Sequence, residues 1–331
     1  RKQLEGAPAV LELPTYQPRP LVQTFRGARQ TVALSVTLTN QLKELSRSQG
    51  VTLFMTLLAT FQLLLHRHSG TDDIVVGSPI ANRNRSELEG LIGFFANTLV
   101  FLTNCSGNPT FRELLQRVKS VALEAYSHQD VPFDRLVEQL KPERSLSYSP
   151  IFQVAFALQG DRKSSLKLRD LELSWQEVDR GSAKFDLALF VFETDEGLSC
   201  LLEYDTDLFQ DTAVRRLLGH FENLLQAAVA NPGSRIGELR MLDTAEFSEV
   251  LAMTRGEPLG ALLGATVTAV ASSAERALLR AVMRSATNYS TWFNGGIRTT
   301  SYFHHRPESG SGADGAADFF AQRLIVDQFR A

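Results

Sequence analysis

Apolar residues recur at two spacings along the chain, every second residue in some segments and every third or fourth in others, and together these patterns predict a mixture of strands and helices. Val32, Leu34 and Val36 alternate with other residues, which is typical of a strand that starts near Arg29. Apolar residues three and four positions apart predict amphipathic helices at 39–49, 111–128, 132–140 and 211–230. The stretch 53–66 is apolar on nearly every side, so we expect this helix, capped by Thr52, to be enclosed by other elements.

Shorter apolar runs predict the remaining strands at 73–77, 151–158, 185–193 and 198–204. The last two are joined by Asp195-Glu196-Gly197, a favourable hairpin turn. Because hairpin and crossover connections both occur in this order of elements, we assign the fold class as α/β.

The run 91–101 combines apolar residues with three that do not suit a plain core strand. Gly93 gives the backbone freedom to bend, at an entropic cost. Asn97 and Thr98 bring hydrogen-bonding side chains into the run, and a buried amide without partners costs about 1–3 kcal/mol. Two interpretations stay open: a core strand with an internally satisfied polar kink, or a strand that faces a wet cavity.

Two further segments join this run in an ordered pattern. His128-Gln129-Asp130-Val131-Pro132-Phe133-Asp134 separates two predicted helices, and Pro150-Ile151-Phe152-Gln153-Val154-Ala155-Phe156 opens a predicted strand. Together with Ile92-Gly93-Phe94-Phe95-Ala96-Asn97-Thr98, and in this order, they closely resemble the condensation domains of non-ribosomal peptide synthetases. The resemblance runs from Arg1 to about Thr244. It implies a chloramphenicol-acetyltransferase-like (CoA-dependent acyltransferase-like) subdomain, a mixed sheet with flanking helices, followed by an irregular C-terminal tail.

The resemblance covers only the later part of that family's domain. The family's catalytic motif, His-His-x-x-x-Asp-Gly, lies upstream of the segment that opens this sequence, so we expect the catalytic histidines to be absent from this chain. Residues 1–28, with four prolines, would be an extended connector from a missing N-terminal subdomain. Residues 29–244 would form the C-terminal subdomain, in which a segment near 151–182 crosses over to the missing partner. Residues 245–331 form an Ala-, Gly- and Ser-rich tail with one expected helix at 274–284.

The resemblance also implies roles for individual residues. Gly93, Phe94, Asn97 and Thr98 would line the substrate tunnel or maintain its structure. Leu102 stands where the family commonly has an arginine, so a charged contact at that position is in doubt. No catalytic or metal-binding residue is expected. Structural roles would fall to His128, Asp130, Pro132, Phe133, Arg144, Pro150, Phe152 and Gln153.

Three other features have two interpretations each. The loop 78–85 is either the floor of the substrate tunnel or an ordinary basic surface loop. His128 is a candidate general base as histidines in general are, but a histidine in a last helical turn also interacts favourably with the helix dipole, and we prefer the structural role. His66 and His68 could begin a metal site, yet no third ligand is near, so we expect a solvated helix end.

Composition narrows the functional classes further. The formal net charge of −3 gives no electrostatic argument for binding nucleic acid or an anionic membrane. The longest apolar runs are shorter than the roughly 20 residues of a membrane span. Cys105 and Cys200, in no ligand-like spacing, are typical of a reduced, cytoplasmic compartment.

The leading functional hypothesis is therefore part of an amide-forming condensation domain. Such a domain would join aminoacyl and peptidyl thioesters held on carrier proteins, whose phosphopantetheine arms enter from opposite faces. No cofactor would be bound directly, and the partners would be peptidyl carrier proteins and the missing N-terminal subdomain. Two alternatives remain: a fragment of an epimerisation or heterocyclisation domain of the same fold, and a non-catalytic remnant that binds carrier proteins or a partner chain.

Overall fold

The computed structural model describes residues 2–4, 6–83, 85–143, 145–160 and 180–255. The chain divides into two compact units, one that runs to Met241 and one that starts at Leu242. The first unit begins with a short 3₁₀ turn and contains six strands and six helices within the described residues. In chain order they are β1 (Gly27–Leu34), α1 (Val36–Ser48), α2 (Leu53–Ser69), β2 (Asp73–Ile80), α3 (Ser86–Glu89), β3 (Asn97–Asn104), α4 (Phe111–Ser127), α5 (Phe133–Leu140), β4 (Val154–Gln159), β5 (Leu187–Thr194), β6 (Gly197–Asp205) and α6 (Asp211–Ala230). In the second unit the structure describes α7 (Thr244–Arg255).

The six strands form one mixed sheet in the order β1-β6-β5-β4-β2-β3. The pairings β1–β6, β5–β6 and β2–β3 are antiparallel, whereas β4 is parallel to both β5 and β2. Most pairings extend over six to eight residues. The pairing of β2 with β4 has a single register pair, Gly77 opposite Ala155. The predicted α/β class with a mixed sheet and flanking helices is therefore confirmed.

Helix α2 is the centre of the core. Its residues from Met55 to Leu65 are all buried, which confirms the prediction that this helix is enclosed. Thr52 caps it, because its side chain accepts a hydrogen bond from the main-chain N–H of Met55 at 3.2 Å. Aromatic rings of Phe61 and Phe221 meet edge to face across α2 and α6. Burying each such ring removes a large apolar area from water.

Several predicted element ends are wrong by a few residues. Val36 does not continue β1: Ser35 caps α1, which starts there, and Val36 is 47% exposed. Strand β2 continues to Ile80, because the residues predicted as a loop pair with the start of β3. Strand β4 starts at Val154, since Ile151 has a positive φ of 71° and interrupts an extended backbone. The hairpin at Asp195-Glu196-Gly197 and the helix Asp211–Ala230 are confirmed.

The prediction of a solvated end for the second helix is also wrong. Helix α2 continues to Ser69, and His68 is fully buried against α6. The imidazole Nε2 of His68 lies 3.1 Å from Nδ1 of His220, and the two rings stack at 5.3 Å. Burial lowers the pKa of His68 well below its ordinary value, and His220 adds to this effect. Both histidines therefore belong to the core.

Within the described residues, no single helix is long and apolar enough to cross a bilayer. Of the helices in that part of the chain, only α1 and α2 taken together reach that length and composition, and they are bent by 103° relative to each other.

Candidate functional site

Asn97 is the first residue of β3, and its side chain joins the first motif to the second. Its amide donates to the carbonyls of Gln129 and Val131, both at 2.8 Å. Its Oδ1 accepts from the main-chain N–H of Phe133 at 3.0 Å. These bonds use both amide hydrogens and fix the turn between α4 and α5. The amide is thus satisfied internally, as in the polar-kink interpretation, and Thr98 beside it is half-buried opposite Pro79.

Phe152 joins the second motif to the third. Its ring meets the Phe133 ring edge to face at 5.6 Å and the Phe185 ring at 5.3 Å. It also occupies the space where a side chain at Gly77 would lie: a Cβ there would be 2.1 Å from the ring of Phe152. Val75, Val100, Ile151 and Phe152 form one buried cluster, against which α5 packs. Phe152 therefore lies on the weak seam between β2 and β4.

Gln153 joins the third motif to the N-terminal segment. The residue is buried, and its amide donates to the carbonyls of Ala9 at 3.1 Å and Ser149 at 2.9 Å. Its Oε1 accepts from the main-chain N–H of Leu11 at 2.9 Å. One side chain thereby holds the proline-rich segment against the sheet. Pro150 lies in the turn between these contacts, where its carbonyl accepts from the N–H of Phe152.

A second anchor of the same segment is an ion pair that the sequence did not reveal. Arg19 binds both carboxylate oxygens of Asp186, which is the residue before β5 and is buried. Burial raises the pKa of Asp186 above its ordinary value, although Arg19 opposes this effect. The carboxylate thus depends on Arg19 for its charge balance. The residues stand 167 positions apart, so the separation along the chain gave no signal for their pairing.

The loop before β3 is more exposed than its apolar sequence suggests. Leu91, Ile92 and Phe94 are 52%, 106% and 94% exposed. Gly93 is also exposed, and a Cβ at Gly93 would meet only the ring of Phe95, at 3.1 Å. The core-strand interpretation of this run thus applies from Asn97 onward and not to the residues before it.

The remaining residues of the second motif are on the surface. His128 ends α4, and its Nδ1 lies 2.9 Å from the Ser127 hydroxyl and 3.0 Å from the Glu124 carbonyl. These local contacts, all within four residues, suit a side chain that caps the end of a helix. Asp130 is exposed, and Pro132 is the N-cap of α5. Arg144, the tail after Arg255 and residues 161–179 of the crossover expected near 151–182 lie outside the described residues.

The described residues offer neither a reactive cysteine nor a cluster of metal ligands. Burial raises the pKa of the Cys105 and Cys200 thiols to about 12, so neither is a thiolate near neutral pH. No group of three or more metal-ligating side chains occurs among the described residues.

A cavity of about 310 Å³ lies where the N-terminal segment approaches the end of α5, with Leu140, Tyr148 and Ile151 among its walls. The three motifs form a connected structural network: Asn97 accepts a hydrogen bond from Phe133, the Phe133 ring meets the Phe152 ring, and Gln153 follows Phe152.

Comparisons with known proteins identify the family of this chain. The family model "Condensation domain" matches residues 1–251, seven residues beyond the limit we expected from the sequence. One of the subunits of linear gramicidin synthase from Brevibacillus parabrevis is 50% identical over 256 residues, which cover 76% of this chain and 5% of that protein. The chain thus spans a small part of this curated relative.

Solved structures are similar to this chain as well. The X-domain from teicoplanin biosynthesis, in complex with OxyB, is 28% identical with a TM-score of 0.68, over 73% of this chain and 54% of that one. The four-domain nonribosomal peptide synthetase holo-AB3403, bound to AMP and glycine, is 26% identical with a TM-score of 0.68, over 73% of this chain and 20% of that one. The chain belongs to the condensation-domain family.

Proposed function

We propose that this chain is the C-terminal subdomain of an amide-forming condensation domain in a non-ribosomal peptide synthetase. The substrates would be aminoacyl and peptidyl thioesters, carried on the phosphopantetheine arms of carrier proteins. The observation that carries the proposal is the network of Asn97, Phe133, Phe152 and Gln153, which joins three family motifs in a chain that the family model matches over residues 1–251.

In this proposal the chain positions substrates and does not supply the base. The attacking amine and the thioester must be held in line, and such positioning supplies much of the rate enhancement of an acyl transfer. Asn97 has no hydrogen left to donate to a substrate, since both are bound to the carbonyls of Gln129 and Val131. We therefore assign Asn97 to the wall of the tunnel as a brace and not as a substrate ligand. The family's catalytic histidines would come from another segment of polypeptide.

The proposed location is the cytoplasm, where a synthetase would find its carrier proteins. Cys105 and Cys200 are both buried free thiols, which suits a reducing compartment. Both the N-terminal subdomain and the carrier proteins are partners in the proposal.

A reconstitution experiment tests this function. The chain is co-expressed with the N-terminal subdomain of a condensation domain and mixed with two carrier proteins loaded with an aminoacyl and a peptidyl thioester. Mass spectrometry should detect the amide product on the acceptor carrier protein, and the chain alone should give none. A stable pair of subdomains that forms no amide with any loaded pair would count against an amide-forming role.

A second function, that of a partner-binding module, is favoured by one specific observation. Ile92 and Phe94 are almost fully exposed, and exposed apolar side chains close together often mark contacts with another protein. The similar X-domain was solved in complex with OxyB. Under this alternative the paired subdomains would bind a partner protein without forming an amide.

A further inference from the structure

One guanidinium group organises the loop between α3 and β3. Arg83 donates through Nη1 to the carbonyl of Leu88 and, at 2.9 Å, to that of Leu91. Its Nη2 donates to the carbonyl of Gly93 at 3.4 Å. The centre of the guanidinium lies 4.3 Å from the middle of the Phe95 ring, in a cation–π contact. A single side chain thus contacts four residues of the segment 88–95.

The choice of arginine has a physical reason. Helix α3 has only four residues, so the carbonyls of Leu91 and Gly93, after its end, have no helical turn to bind them, and Arg83 donates to both. A guanidinium has five N–H groups in a planar fork and a flat face that stacks on aromatic rings. A lysine at position 83 would carry the same charge but could not bind three carbonyls and stack at once. The geometry therefore depends on the guanidinium and not only on its charge.

These contacts explain how the loop keeps apolar side chains in water. Ile92 and Phe94 alternate with Gly93 and Phe95, whose carbonyl and ring are held by Arg83. Because Arg83 binds Gly93 and Phe95, the side chains of Ile92 and Phe94, which alternate with them, face solvent, and they are 106% and 94% exposed. Two residues after Phe95 the chain is fixed again, by the three hydrogen bonds of Asn97.

We propose that Arg83 is a positioning residue for the amide-forming reaction: it fixes the loop 88–95 and so determines where Ile92 and Phe94 meet the rest of the complete domain. This inference rests on the proposed function, because only in the complete domain would these side chains have that role. Arg83 acts through the loop and contacts no substrate.

A spin label measures the loop directly. Cys105 and Cys200 are buried, with pKa values raised to about 12, so a thiol-specific nitroxide reacts selectively at a Phe94→Cys substitution. Arg83→Met should increase the mobility of the nitroxide, and Arg83→Lys should increase it nearly as much. Arg85→Met removes an equal charge from an exposed side chain two positions away and should leave the spectrum unchanged. Identical spectra for Arg83→Met and the parent would overturn the inference.

Kinetics of the reconstituted domain test the link to the reaction. Arg83→Met should lower kcat/KM for amide formation about tenfold, the equivalent of about one charge-assisted hydrogen bond. Arg47→Met, on the exposed face of α1, is the control and should keep the parental rate. Circular dichroism should show the same helix content in all variants, and Arg83→Lys serves in place of Arg83→Met if the latter does not fold.

The two readouts separate the inference from the proposed function. If the nitroxide becomes mobile but the parental pair forms no amide, the proposed function fails and the role of Arg83 in the reaction fails with it. If the parental pair forms amide and Arg83→Met changes neither the spectrum nor kcat/KM, the inference alone fails.

Discussion

The hydrogen bonds of Asn97 lead to a prediction about stability. Asn97→Ala removes two donors and one acceptor that bind Gln129, Val131 and Phe133. Each such bond contributes about 0.5–1.5 kcal/mol net. Because the site is half-buried, water replaces some of the lost partners, and we expect a loss of about 2 kcal/mol in the free energy of unfolding.

Asn97→Asp gives a sharper test, since it keeps the acceptor for the Phe133 N–H but replaces the donors with a carboxylate oxygen. That oxygen would face the carbonyls of Gln129 and Val131, which disfavours its ionised form. The folded-state pKa of the new carboxyl would lie above the unfolded value of about 3.9. The variant should therefore match the parent more closely at pH 4 than at pH 7, where the repulsion is complete.

Urea unfolding of the parent and the two Asn97 variants, at pH 4 and pH 7, measures these differences. Asn40→Ala is a matched control, because Asn40 is exposed on α1 and alanine is favourable in a helix. A change of less than about 0.5 kcal/mol for Asn97→Ala, the scale of an ordinary surface substitution, would refute the bracing role.

Three further predictions follow from other contacts. Arg19→Met leaves the buried carboxylate of Asp186 unpaired and should lower the free energy of unfolding in urea by about 3–5 kcal/mol at pH 7. The loss should be smaller at low pH, because the carboxyl group then protonates. Equal losses at both pH values would contradict this. Gly77→Ala should cost about 1–3 kcal/mol by thermal unfolding, since its Cβ overlaps the Phe152 ring, and Phe152→Leu in the same chain should restore part of the loss. Burial lowers the pKa of His68 well below that of the unfolded chain, so the contribution of neutral His68 to the free energy of unfolding should be fully present above about pH 6.5 and decrease as the pH falls. In urea unfolding between pH 7 and pH 5, a His68→Leu variant should therefore lose stability less steeply than the parent.

The sequence predicted best the elements whose signals are local. Thr52 before an apolar run gave the start of α2, and Asp195-Glu196-Gly197 gave the β5–β6 hairpin. Caps and turns depend on neighbours within a few residues, so their chemistry is visible in the printed sequence. The order of the three motifs likewise led to the family that the comparisons show.

Contacts between distant residues could not be read in the same way. His68 was expected in solvent, because the sequence does not show that His220, 152 positions later, lies against it. Asn97 had two open interpretations for the same reason: its partners are more than 30 residues away. Arg83 was part of a loop with two interpretations, and only the positions of the carbonyls of Leu88, Leu91 and Gly93 distinguish it from other surface arginines.

The single register pair between β2 and β4 has a mechanical consequence. A force that pulls β3 away from β1 acts on every strand pairing in series, and each of the other pairings resists it over six to eight residues. At the β2–β4 seam the strands are joined only at Gly77 and Ala155, so the backbone offers the least resistance there. The Phe152 ring, packed over Gly77, closes that seam. Under load the sheet would part into a four-stranded and a two-stranded piece, and the buried cluster around Phe152 would supply the side-chain packing that resists the separation.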